Sequence, residues 1–269
     1  MEGQIHQLLI NCGLDPIAVL EALGVTRSVI SGSVPVAAMF PGQFEPNDVD
    51  IYTAEPEETA MLAIFRDQLN FTVVKQARIV YPKHMAISRI YWLTEGKAKV
   101  NLIIVKGGNA LAAIFQFHST LVMNAISVDG LFCAYPELTL KGMSLVNSSF
   151  IVGEEQEKRA AICIEKYESR GFAFITEYKI TEVGELTDHK CRENANCPGT
   201  VRRLEDGHSL FYPLNAHKEE EDRKADATFY TEDGLNTVEW CLGGRECYGE
   251  DAWTQGFVTS MVLKEDGEH

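Results

Sequence analysis

The sequence contains no apolar run approaching the roughly 18 residues that a membrane-spanning helix needs. Its first residues, Met1-Glu2-Gly3-Gln4, lack a basic stretch leading into an apolar one, so no secretory leader is expected. It has no internal repeat and no low-complexity segment, and 45% hydrophobic with 9% aromatic residues is globular composition. Positive charge is scarce: 24 Lys and Arg stand against 39 Asp and Glu, a net charge of −15. Taken as a total, that argues against nucleic acid, whose phosphates need clustered cations. The seven cysteines are odd in number and scattered through a chain of 269 residues. A chain of this size can bury its own core, so a disulfide framework is not expected. A reducing, intracellular compartment is expected instead, cytoplasmic or nuclear.

The charge is unevenly placed. Residues 1–177 are net −5 and residues 178–269 net −10. Between Lys75 and Lys106 seven basic residues meet one acid, Glu95, so this segment is locally +6. It reads either as solvated strand faces or as a surface for phosphates. Glu219-Glu220-Glu221-Asp222 reads as an exposed loop.

Apolar spacing predicts helices over 3–11 and 15–23, the second started by Asp15-Pro16. A strand follows at 28–31, ended by Gly32-Ser33, then a short helix over 34–40 and a strand over 49–53. Further expectations are a helix over 56–69, strands over 71–80, 85–93 and 100–105 with a hairpin turn at Glu95-Gly96, and helices over 109–117 and 154–170. Short strands are expected at 209–213, 228–230 and 238–242. The fold class is α+β: a mixed sheet flanked by helices, residues 1–177, followed by a small irregular Cys-containing region, 178–269, with the boundary near 178–190.

The chemistry concentrates in Ile30-Ser31-Gly32-Ser33 and Pro46-Asn47-Asp48-Val49-Asp50-Ile51-Tyr52. Strand residues two apart face the same way, so Asp48 and Asp50 present two carboxylates side by side. Such a pair repels itself unless a cation neutralises it. An all-oxygen site suits Mg²⁺ (or Mn²⁺), commonly held by one or two carboxylates together with substrate phosphates. Gly32 lets the backbone approach a phosphate, Ser33 adds a hydroxyl, and the helix start offers N–H groups. The plainer alternative makes Asn47-Asp48 a turn and Asp50 an exposed strand residue.

The order strand, Gly-Ser, helix, Asp-x-Asp strand resembles the nucleotidyltransferase superfamily, the polymerase-β-like fold, matched here at Gly32, Ser33, Asp48 and Asp50. Ile30 to Ser33, Asn47 to Tyr52, Val100 to Ile104, Phe117 to Asn124 and Lys166 to Phe172 resemble poorly characterised fungal proteins of this fold. The resemblance covers roughly residues 25–200. It implies a nucleoside triphosphate, a divalent cation, and a third carboxylate on a later strand. In Val100-Asn101-Leu102-Ile103 that position holds Asn101, which brings no charge and cannot act as a base. By the same resemblance Lys99 would neutralise phosphate. His118 would be a general acid or base or a phosphate contact, against the alternative of a hydrogen-bonded core histidine.

Cys191-x5-Cys197 and Cys241-x5-Cys247 form two pairs, with His189 beside the first. Four thiolates, or three with His189, would suit a structural Zn²⁺, although a spacing of five is longer than in common zinc motifs. Reduced, partly buried cysteines are the alternative. Cys12, Cys133 and Cys163 lie in apolar contexts and read as core.

Three functions compete: a transferase moving a nucleotidyl group from a nucleoside triphosphate, a catalytically degenerate nucleotide-binding or interaction module, and a zinc-stapled interaction protein. Asn101 favours the second over the first, and the intact Gly32, Ser33, Asp48 and Asp50 favour the first over the third. The acceptor would be a small molecule or protein more readily than long nucleic acid, and no membrane is expected.

Overall fold

A computed structural model describes residues 1–79, 86–178, 180–182, 185–187, 189–214, 230–231, 234–245 and 253–263. Lys83, Cys247, the acidic run 219–222 and most of the expected strand 228–230 lie outside the described residues, as do the ends of the strands expected over 71–80 and 85–93.

The chain opens with two helices, α1 (Glu2–Asn11) and α2 (Pro16–Val25). Asp15 caps α2, its Oδ1 accepting the Ile17 N–H at 3.0 Å, with Pro16 in the first turn where no N–H is needed. Strand β1 (Val29–Ser31), helix α3 (Ser33–Met39) and strand β2 (Val49–Ala54) follow. The helix expected over 56–69 divides into a 3-10 turn (Glu55–Glu57), α4 (Glu58–Ala63) and a π-helical turn (Ile64–Gln68). Next come β3 (Thr72–Arg78), β4 (Ile87–Glu95) and β5 (Ala98–Val105), the last two joined at Gly96, whose φ of +54° suits glycine. The segment expected as a helix over 109–117 is a 3-10 helix, Ala110–Gln116.

Beyond it lie β6 (Asn124–Ile126), β7 (Gly130–Cys133), α5 (Pro136–Thr139), β8 (Met143–Leu145), α6 (Glu154–Glu168) and β9 (Ala173–Ile175). The remaining strands are β10 (Ile180–Glu182), β11 (Glu185–Thr187), β12 (Arg202–Arg203), β13 (Leu210–Pro213), β14 (Tyr230–Thr231), β15 (Gly234–Cys241), β16 (Gly244–Arg245), β17 (Trp253–Thr254) and β18 (Phe257–Leu263).

Eight strands form the main sheet in the order β13-β7-β6-β1-β2-β5-β4-β3. Its pairs are antiparallel except β2 with β5, which run parallel. The architecture is therefore α+β with a mixed sheet, as expected. One sheet face carries Ile51, Val49, Leu102, Ile104 and Leu93, buried against Ile5 and Leu9 of α1, Leu23 of α2 and Met61 of α4. The other face divides into two parts. Toward the end of β2 and β5, Tyr52, Ile103 and Val105 are buried beneath Ile114 and Phe115 of the 3-10 helix. Toward the start of the same strands this face is polar and holds Asp50 and Asn101.

Residues beyond 178 enter the same body. Strand β13 pairs with β7 at the sheet edge, and Trp240 of β15 stacks on Phe115 at 3.8 Å. Its indole N–H donates to the Tyr135 hydroxyl at 2.9 Å, and Trp240 is fully buried. No single helix among the described residues is long and apolar enough to cross a membrane.

Candidate functional site

The register of three strands fixes the site. Asp50 of β2 sits opposite Ser31 of β1 on one side and Asn101 of β5 on the other. Asn101 in turn faces Trp92 of β4, and Trp92 faces Lys75 of β3. Residues directly opposite on neighbouring strands share a face, so Asp50, Asn101, Trp92 and Lys75 form one row across the sheet. Lys99, exposed two residues before Asn101, lies on the same face.

The Asn101 side-chain amide donates to Asp48 Oδ2 at 2.9 Å and to Asp50 Oδ1 at 2.8 Å. Asn101 thus bridges the two carboxylates through one side-chain amide. Gly32, at φ +71°, lies so close to Asp50 that a Cβ there would stand 2.4 Å from Asp50 Oδ2. Both the backbone angle and the approach require glycine. Ser33 begins α3 and is buried, and the Ser31 hydroxyl donates to the Asn124 carbonyl at 2.6 Å, tying β1 to β6 beside the site.

Asp50 titrates high, at about 6. Burial is the main cause. The Asn101 hydrogen bond opposes it, Asp48 adds repulsion, and Lys166 lowers the value somewhat. Lys166 comes from the last turn of α6, together with Cys163 and Tyr167. The Asp50 charge holds the pKa of Cys163 and Tyr167 up, behind the larger effect of burial. A spacing of three to four residues puts these three side chains on one helix face. The end of α6 is held down by the Arg170 guanidinium over the Phe44 ring at 4.1 Å and by the Gln43 amide donating to the Arg170 carbonyl at 2.6 Å.

His118 is stacked near Tyr167, ring centres 6.5 Å apart, and its Nε2 is buried with no hydrogen-bond partner. Burial, helped by Lys166, pushes its pKa down to about 4, so it is neutral at physiological pH and cannot serve there as a cationic phosphate contact. It sits between two 3-10 helices, off the strands that carry the carboxylate row. In the sequence, Lys166 and Tyr167 stand out only within the segment Lys166 to Phe172 that carries part of the resemblance. The signal available was a cationic side chain near the end of an acidic amphipathic helix, and nothing in the sequence pointed that helix at Asp50.

The basic segment splits by face. Lys75 and Lys99 lie with the carboxylates, Lys75 over the Trp92 ring at 4.8 Å. Arg89 lies on the opposite face, paired with Glu58. Two surface clefts, about 660 Å³ beside Leu62 and Arg66 and about 390 Å³ beside Phe150 and Val258, are lined by other residues.

A second cluster lies in the tail. One ligand atom each from His189, Cys191 and Cys197 falls within 4.8 Å of the others, a group able to hold a metal ion. Cys241 is buried, and its thiol donates to the Pro198 carbonyl at 3.2 Å. Of the cysteines expected in the core, Cys133 is buried. Cys12 and Cys163 are half-buried beside the carboxylates: Asp48 holds the pKa of Cys12 up, and Asp50 that of Cys163, each behind burial.

No protein-family model matches the chain, and no curated protein sequence matches it. A solved structure described as "tRNA-processing enzyme (apo form I)" aligns at 18% identity and a TM-score of 0.41, covering 60% of this chain and 43% of that one. Another, "Structure of tRNA-processing enzyme complex 3", aligns at 19% identity and 0.40, covering 64% and 43%. The chain spans less than half the length of either, and a likeness this distant carries no argument about function.

Proposed function

We propose that the chain binds a nucleoside triphosphate through one divalent cation, Mg²⁺ or Mn²⁺, at Asp48 and Asp50. One observation carries this reading: two carboxylates share a single amide, and Asp50 is raised to about 6 by burial and by Asp48. Two carboxylates this close repel one another and gain from a cation placed between them. The donors fit an oxygen-seeking ion. Asn101 engages Asp48 Oδ2 and Asp50 Oδ1, which leaves a second oxygen on each carboxylate, the one on Asp50 facing Gly32. When bound, the cation would neutralise and orient phosphate oxygens.

The chain's own residues supply the rest. Gly32 leaves room beside Asp50, while Lys99 and Lys166 bring positive charge to either side of the carboxylates. Trp92 lies two strands from Asp50, roughly 10 Å at the usual strand spacing, and offers a ring face for the base.

Nucleotidyl transfer is the narrower reading. Asn101 cannot accept a proton from an attacking hydroxyl. The native chain is therefore a nucleotide-binding module with transfer weak or lost. Any acceptor is a small molecule or a protein, because the net −10 of residues 178–269 opposes a long polyanion. Titration of nucleoside triphosphate with Mg²⁺ or Mn²⁺ into wild type and into Asp48→Ala/Asp50→Ala tests the reading. Binding by wild type and its loss in the variant are expected; equal binding by both, or none by wild type, overturns it.

A further inference from the structure

The tail cluster stands apart from the carboxylate row and has its own chemistry. His189 is almost wholly buried. Its Nδ1 lies 2.8 Å from the Tyr178 carbonyl, a group that can only accept, so the proton sits on Nδ1 and the lone pair on Nε2. That Nε2 is buried with no hydrogen-bond partner. A buried acceptor left unsatisfied costs about 1–3 kcal/mol. A backbone carbonyl on one imidazole nitrogen and an open lone pair on the other is the arrangement of a metal-binding histidine.

Two thiols converge on the same point. The Cys191 and Cys197 sulfurs and a His189 nitrogen lie mutually within 4.8 Å. Around a tetrahedral Zn²⁺ with bonds of about 2.0–2.3 Å, donors stand roughly 3.3–3.8 Å apart, so small side-chain rotations close the gap. The Arg192 N–H donates to Cys197 Sγ at 3.4 Å, the kind of contact that steadies a ligating thiolate. Arg192 has φ +66°, which bends the chain sharply just after Cys191. Cys241 of β15 is not one of the three converging atoms, but it lies close enough to Cys197 for that thiol to help hold its pKa up, behind the larger effect of burial, so its side chain must turn to complete the set. The Cys241 thiol reaches the Pro198 carbonyl, and the Gly243 N–H donates to that same oxygen at 2.8 Å.

We infer that His189 Nε2, Cys191, Cys197 and Cys241 bind one structural Zn²⁺. All four donors come from the protein, so the site is closed and holds no activated water. Of the two expected sets this is the one with three thiolates and His189; Cys247, the fourth thiolate of the other set, lies outside the described residues. The ion ties the loop 189–198 to β15, whose Trp240 is already anchored on Phe115. This site does not depend on the nucleotide reading.

The experiment uses the full chain without a histidine tag, purified without added metal. Elemental analysis is expected to give about one zinc per chain, and reconstitution with Co²⁺ is expected to give the visible bands of a tetrahedral thiolate site. Cys191→Ser and Cys197→Ser each abolish both signals, His189→Ala and Cys241→Ser lower zinc content at least tenfold in the presence of a competing chelator, and Cys247→Ser changes neither. Because the serine variants can fail to fold, native mass spectrometry of wild type reads the bound ion directly. Less than about 0.2 zinc per wild-type chain overturns the proposal. Full zinc in Cys241→Ser with loss in Cys247→Ser overturns the assignment of the fourth donor. Asp48→Ala/Asp50→Ala keeps its zinc, which separates failure of this site from failure of the nucleotide site.

Discussion

Asp50→Asn replaces an ionisable group by a neutral one of the same shape, and the structure sets both the sign and the size of the result. The Asp50 carboxyl titrates near 6 in the folded chain, against 3.8 in the open chain. A pKa raised by folding contributes stability that is fully present below pH 3.8 and is lost as pH rises through about 6. The gap of about two units corresponds to a loss of at most about 3 kcal/mol, at 1.36 kcal/mol per unit. For a chain of this size 1 kcal/mol moves the melting temperature by roughly 2–4 °C. Wild type and Asp50→Asn are therefore expected to melt close together near pH 4. By pH 7.5 the variant should melt several degrees higher. His118 titrates the opposite way: its pKa is depressed to about 4, so its contribution is lost as pH falls below the usual histidine range. Both proteins share His118, so the difference between the two melting curves isolates Asp50. The assay is thermal unfolding from pH 4 to 8, with and without millimolar Mn²⁺. The ion should recover wild type at pH 7.5 and leave Asp50→Asn unmoved. Curves that stay parallel across the whole range, or equal stabilisation of both proteins by Mn²⁺, refute the reasoning.

Gly32→Ala forces a side chain into positive φ and against Asp50 Oδ2; it should lower stability by about 2 kcal/mol and abolish Mn²⁺-dependent stabilisation, both read in the same melting assay. Asn101→Asp restores a third acid beside the pair; if the chain is a degenerate transferase, single-turnover assays with a labelled nucleoside triphosphate should show more transfer or hydrolysis than wild type, and unchanged rates contradict that descent. Trp92→Ala should weaken nucleoside triphosphate binding roughly 5–150-fold while leaving tripolyphosphate binding intact, since a stacked base contributes about 1–3 kcal/mol. Trp240→Ala removes a fully buried ring and leaves the Tyr135 hydroxyl without its donor; denaturant unfolding should show a loss of about 3–5 kcal/mol.

The order of elements around the carboxylates was legible because each carries its own local mark. Asp15-Pro16 announces α2, Gly32 breaks the chain after β1, and Asp48 and Asp50 bracket the start of β2. The sequence marked Asn101 only through a resemblance that puts an acidic position on a later strand; that β5 runs parallel beside β2 and sets Asn101 against Asp50 emerges only from the register. Other features left no such mark. Strands β6 and β7 are three and four residues long and buried throughout, so no alternation distinguishes them from loop or helix. The segment 55–68 has one helical pattern in sequence but three hydrogen-bonding patterns in space, because periodicity does not distinguish α from 3-10 or π turns. The charge effect of Lys166 on Asp50 and the pairing of β13 with β7 are long-range facts that no local window contains. His189 was visible as a neighbour of the cysteines, but its open Nε2 follows only from the carbonyl of Tyr178 on the other nitrogen.

The most direct test of the central claim is calorimetric titration of a nucleoside triphosphate into the purified chain at pH 7.5, with Mg²⁺ present and then with it chelated. The account predicts saturable one-to-one binding that requires the cation and disappears in Asp48→Ala/Asp50→Ala. Binding that survives chelation and the double substitution, or no binding by wild type, contradicts it.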